Sequence, residues 1–172
     1  TIALANLPEL GPPGLEQATG VQSQKTLTDR IRIPAIDLDL PVQNIESRDL
    51  AVLDEALKKG PIRYVDSARL GEKGNMLIFG HSSRLPVVKN QMYKAFNRAS
   101  ELSVGDTITL ESEGKDYLYS VISVRSVDVS DTTIDLSPTQ GTKLTLVTCD
   151  TLTGKSARYV LEADFVGAYA HE

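Results

Sequence analysis

Alternation of apolar and polar residues with a period of two recurs along this chain between Ile31 and Phe165, and one stretch, Ser47 to Gly60, replaces it with helical spacing. Side chains on a strand alternate faces, so such runs describe strands with one buried side. "RIRIPAIDLDLPV" carries Ile31, Ile33, Ile36, Leu38 and Leu40, with Pro34 and Pro41 confining it to edge or broken strands. "NMLIFGH" reads as a buried strand ending at Gly80-His81. "VGDTITLESEGKDYLYSVISVRSV" holds two alternating runs around a Glu113-Gly114 turn, which is a hairpin signal. Lys143 to Cys149 and Ser156 to Phe165 add two more strands. Roughly seven or eight strands, few helices and no strand-helix-strand rhythm predict a mostly β fold, a mostly antiparallel closed barrel.

The helical stretch sets Leu50, Leu53 and Leu57 on one face; Ser47 or Asp49 can cap its start, and Gly60-Pro61 ends it. A second, short helix is expected from Gln91 to Ala99, burying Met92 and Phe96. Near the start, Pro8, Gly11, Pro12, Pro13, Gly14 and Gly20 interrupt any periodicity. Residues 1–26 therefore read as a flexible or extended tether. One domain is expected over residues 27–169, with 170–172 as a tail.

A hydrophobic share of 41% beside 24% charged residues suits a single globular core rather than a disordered chain. The formal charge of -5, with no Lys/Arg run, argues against a nucleic-acid partner, which needs a concentrated positive field. No apolar run approaches the roughly 18 residues of a membrane-spanning helix, and the first residues lack the order of a signal peptide.

The chain has one cysteine, Cys149, so an intramolecular disulfide is excluded and reactivity becomes the question. Free cysteine commonly behaves as a small buried hydrophobe. Cys149, however, ends a strand where a polar loop begins, and it shares a face with Thr145 and Val147 rather than with Leu144 and Leu146. Arg158 lies in the next strand. If the two strands pair antiparallel, Cys149 and Arg158 share a face only when paired residue numbers have an odd sum, for example with Cys149 opposite Ser156. In that register a fixed cation near the sulfur favours the thiolate and can bond an oxyanion. A one-residue slip would separate the two, and in either case the alternative reading of Arg158 is a surface salt bridge to an acid such as Glu162.

Cysteine chemistry also needs a proton carrier for the leaving group. The chain has two histidines. His171 is the penultimate residue, where a frayed end is the simple reading. His81 follows a strand and a glycine, much as Cys149 ends its own strand. It is either a solvated loop histidine or an acid/base group. From unperturbed values, a thiolate-imidazolium pair lies about 2.7 kcal/mol above the neutral pair, a gap that a nearby arginine narrows.

"TLVTC" at Thr145 to Cys149, an arginine in the following strand and "GNMLIFGHSS" upstream together resemble the sortases, cysteine transpeptidases of bacterial cell surfaces. The likeness extends through "IRIPAIDLDLPV", Ala56, Leu57 and Gly60, "LSVGDTITL", "YLYSV" and "ARYVLEA". The Gly-His-Ser-Ser and "TLVTCD" segments are in keeping with classes D and E, and with both pilus-related and housekeeping types, so the subclass stays open. The resemblance implies a sortase β-barrel of eight strands with one or two short helices. It implies Cys149 as nucleophile, His81 as acid/base and Arg158 as stabiliser of substrate and oxyanion. By position relative to the motif, Phe79, Thr145 and Val147 would line the substrate groove, and the backbone around Thr148 and Asp150 would adjoin the scissile carbonyl. Residues 129–142 would read the leucine-proline part of the signal.

Sortases cut a Leu-Pro-x-Thr-Gly type of signal after its threonine, hold the product as a thioacyl enzyme and pass it to an amine. The implied partners are surface proteins or pilins bearing that signal, with a peptidoglycan precursor or pilin amine as acceptor. The implied location is the extracytoplasmic face of the membrane, residues 1–26 being the linker that follows an N-terminal anchor. No cofactor is expected. Some sortases bind calcium, but Asp128, Asp131 and Asp135 match no compact ligand set, and no zinc spacing occurs. The competing reading is a non-catalytic barrel that binds surface peptides.

Overall fold

The computed structural model describes residues 2–3, 29–82, 96, 98–128, 133–134, 136, 141–150 and 157–170. In chain order the elements are β1 Ile2–Ala3, β2 Asp29–Ile33, β3 Leu38–Asn44, α1 Leu50–Leu57, β4 Ile62–Arg63, β5 Gly74–Ser82, β6 Thr107–Ser112, β7 Lys115–Asp128, β8 Thr133–Ile134, β9 Thr142–Asp150 and β10 Ala157–Ala170. Eight strands close a barrel in the order β10-β7-β6-β2-β3-β4-β5-β9, with β9 paired back to β10. The expected eight-stranded, mostly β architecture is present.

Local chemistry explains most of the boundaries. Glu113 and Gly114 both take positive φ, 51° and 78°, as the tight turn between β6 and β7 demands. Pro34 opens a one-turn 3-10 helix, Pro34–Ile36, that separates β2 from β3. Pro41 lies within β3 opposite Arg30, but β4 pairs with β3 only from Gln43 onward, which leaves the proline at a locally open edge. Helix α1 starts where the Asp49 carboxylate accepts the Ala51 N–H at 2.9 Å.

Two features depart from the expected pattern. β3 and β4 are parallel, and α1 is the crossover between them, so one strand-helix-strand unit does occur. β10 runs on to Ala170, where it pairs with Lys115, well past Phe165, the end expected from the alternation. The expected helix from Gln91 lies largely outside the described residues; at its end Phe96 is buried and a 3-10 turn spans Ala99–Glu101. Within the expected tether, Ile2–Ala3 pair antiparallel with Thr133–Ile134 of β8.

The strands enclose one core and carry another. Inside the barrel, Ile31, Ile33, Met76, Ile78, Leu144 and Leu161 pack together. Outside it, Leu53 and Leu57 of α1 cover Ile62, Leu77, Phe79 and Val147. Strands β5 and β9 are thus buried on both faces, which is why "MLIF" and "LTLV" are nearly continuous apolar runs. Each such side chain contributes about 1.5–3 kcal/mol by leaving water.

Gly80, near the end of β5, belongs to the inner face. A Cβ there would lie 3.0–3.1 Å from three ring carbons of Phe96, itself 1% exposed. Gly80→Ala is therefore expected to destabilise the fold by about 1–3 kcal/mol through overpacking, read as a lower urea midpoint with an unchanged slope.

Candidate active site

β5, β9 and β10 are neighbours in the closed barrel, and they hold the three residues singled out from the sequence. In the parallel β5–β9 ladder His81 is registered with Cys149, one step after Gly80 with Thr148. β9 and β10 pair antiparallel, from Asp164 with Lys143 to Val160 with Val147. Those numbers have an odd sum, so the required parity holds. Carried two residues further, the same register aligns Cys149 with Arg158 itself rather than with Ser156. On its other side Arg158 is registered with Val127 of β7.

All three backbone positions have the parity of the outer face. Leu77 and Phe79 precede His81 by twos, Thr145 and Val147 precede Cys149, and Val160 follows Arg158; Leu77, Phe79, Val147 and Val160 share the outer apolar layer. Paired strands lie about 4.8 Å apart. The backbone thus brings a histidine, a cysteine and an arginine to one level of three adjacent strands. Glu162, the acid expected to pair with Arg158 if the arginine is a surface residue, accepts a hydrogen bond from Arg125 at 3.1 Å.

The residues expected to line the groove are tightly packed. Phe79 and Val147 are buried beneath α1, with Tyr64 against Phe79 at a ring-centroid separation of 6.4 Å. Burial pushes the Tyr64 phenol above its ordinary pKa, so that ring stays neutral. Thr145 is buried too, and its hydroxyl donates to Asn75 Oδ1 at 2.7 Å. This hydrogen bond explains a polar residue in an otherwise apolar layer. Thr148 is 3% exposed, faces inward, and accepts the Tyr159 N–H on Oγ1 at 2.9 Å.

Asn75 and Tyr159 are the residues that sequence reasoning missed. Their roles depend on cross-strand partners, and the pattern of apolar residues carries no signal for them. His171, Asp131 and Asp135 lie outside the described residues. Among the described residues no group of three or more His, Cys, Asp or Glu is placed to hold a metal, and no helix is long and apolar enough to cross a membrane.

Comparison with known proteins bears on the family and the fold. The family model for the sortase domain matches residues 31–166. Sortase A of Bacillus anthracis is 28% identical over 159 residues, covering 92% of this chain and 69% of that protein. Sortase D of Bacillus subtilis (strain 168) is 28% identical over 137 residues, covering 80% of this chain and 57% of that protein. Among solved structures, sortase E from Streptomyces avermitilis superposes with a TM-score of 0.65 at 26% identity, covering 83% of this chain and 89% of that one. With the matched domain reaching from β2 into β10, the chain belongs to the sortase family, the extracytoplasmic transpeptidases that anchor surface proteins.

Proposed function

We propose that this chain cleaves a Leu-Pro-x-Thr-Gly type of sorting signal after threonine and transfers the threonyl carbonyl to an amine. The observation that carries the reading is the β5–β9 register, which pairs His81 with Cys149 beside the arginine-bearing start of β10. In the proposed cycle the Cys149 thiolate attacks the threonine carbonyl, and Arg158 stabilises the oxyanion. The tetrahedral adduct collapses as the carbon-nitrogen bond breaks, and His81 gives the departing glycine amine its proton. A thioester to Cys149 remains. An incoming amine attacks that carbonyl, His81 takes its proton, and the thiolate leaves. Bonds and protons balance without an external oxidant or metal, so no cofactor is required.

The proposed donors are surface proteins or pilins carrying the signal. The proposed acceptors are a cell-wall precursor amine or a pilin lysine, and the proposed site of action is the outer face of the cell membrane, reached through an anchor preceding the barrel. Phe79 and Val147, packed beneath α1, would support the groove wall from behind, and residues 129–142 would read the leucine-proline portion of the peptide.

Incubating the protein with a Leu-Pro-x-Thr-Gly peptide should release the glycine-side fragment. Adding free glycine or a pilin-like lysine peptide should divert the threonine-side product from the acid to the new amide. Peptide binding without cleavage, with Cys149 inert to methanethiosulfonate reagents in the folded protein, would favour the non-catalytic binder instead.

A further inference from the structure

We propose that Thr148 is a positioning residue, whose hydroxyl pins the beginning of β10 to β9 and so sets where the Arg158 backbone lies relative to Cys149. The proposal rests on the transpeptidase reading for its catalytic consequence and on the hydrogen bonding alone for its structural part. In an antiparallel pair, alternate N–H groups of one strand point to the same neighbour. The recorded β9–β10 pairs end at Val147 with Val160. The next N–H of β10 directed at β9 is that of Tyr159, and its natural acceptor would be the Thr148 carbonyl. The N–H is instead received by Thr148 Oγ1 at 2.9 Å.

A side chain thus takes over from the backbone at the point where the ladder stops, one residue before Cys149 on β9 and one residue after Arg158 on β10. The bond ties the Tyr159 amide to β9 one step beyond the last paired residues. Thr148 is itself held: it is 3% exposed, follows the paired Val147, and is registered with Gly80 on its other side. Gly80 precedes His81 and sits under Phe96. One rung of the barrel wall, the backbone at Gly80, Thr148 and Tyr159, therefore adjoins the rung of His81, Cys149 and Arg158.

The chemistry of the side chain makes the inference testable. Valine matches the shape of threonine but offers no acceptor, whereas serine keeps it. Thr148→Val is expected to lower kcat about 30- to 100-fold with KM changed less than about threefold, the scale of a misplaced catalytic group. Thr148→Ser is expected to restore kcat to within about threefold of the original. In an Arg158→Ala background, Thr148→Val should add less than about a twofold loss, because the group it positions is already gone. Hydrogen exchange at the Tyr159 amide should accelerate at least about tenfold in the valine variant and remain slow in the serine variant.

Unchanged kcat in Thr148→Val, full multiplication of the two losses in the double variant, or unaltered exchange at Tyr159 would each overturn the proposal. If valine prevents folding, Thr148→Ala compared with Thr148→Ser carries the same test. A wild-type chain that cleaves no sorting peptide would refute the transpeptidase reading and the catalytic half of this proposal. The exchange comparison, which needs no activity, would still decide the pin.

Discussion

Cys149→Ala is expected to abolish both peptide cleavage and amine transfer, a loss on the order of 10⁴-fold or more, comparable with removing a covalent nucleophile elsewhere. The reason is chemical. Without sulfur no thioester forms, and the reaction must proceed by direct attack of water or amine on an unactivated amide. Arginine and backbone donors would still polarise the carbonyl, so a trace of hydrolysis is compatible with the account. Diversion of product by added glycine is not, because partitioning between water and amine requires the acyl-enzyme. A stopped mass-spectrometric assay with and without glycine checks both parts, and far-UV circular dichroism checks that the barrel remains folded.

The second large effect is at His81. His81→Ala should lower amide cleavage about 10²- to 10⁴-fold, the range for losing a general acid. Its role makes a sharper demand than its size. An amine is a poor leaving group unless protonated as the bond breaks, whereas an alkoxide leaves more readily. Replacing the threonine-glycine amide by an ester should therefore shrink the His81→Ala penalty by at least about tenfold. Equal penalties on both substrates would remove His81 from the proton-transfer step and assign it to positioning.

Much of this barrel is legible in the sequence because its strands alternate, and the parity of one hairpin could be posed as a yes-or-no question. The odd-sum register of β9 and β10 answers it, through Val147 with Val160. The Glu113-Gly114 turn and the Asp49 cap are equally visible, since each depends on residues a few positions apart. Long-range relations were not. β4 is only Ile62–Arg63, too short to announce itself, so the β3-α1-β4 crossover could not be seen. The parallel pairing of β5 with β9, which aligns His81 with Cys149, joins strands that are separated by a whole hairpin.

The face carrying Thr145, Val147 and Cys149 also looks less apolar than it is. Thr145 is buried because Asn75, 70 residues earlier, accepts its hydroxyl hydrogen. Arg63 presents the same difficulty. It is 2% exposed, and burial lowers its pKa, yet Asn44 and the carbonyls of Tyr64 and Ser67 satisfy the guanidinium. A charged residue in a two-residue strand reads from sequence as exposed. Only the partners that the fold brings to it explain why it is not.

The identity and register of the nucleophile can be tested in one measurement. The folded chain would be incubated with a Leu-Pro-x-Thr-Gly peptide, quenched in acid, digested and mapped by tandem mass spectrometry. The account predicts a hydroxylamine-labile acyl adduct, equal in mass to the threonine-ended fragment less water, on the peptide containing Cys149. Efficient cleavage with unmodified Cys149, or with the acyl group on any other residue, would contradict it.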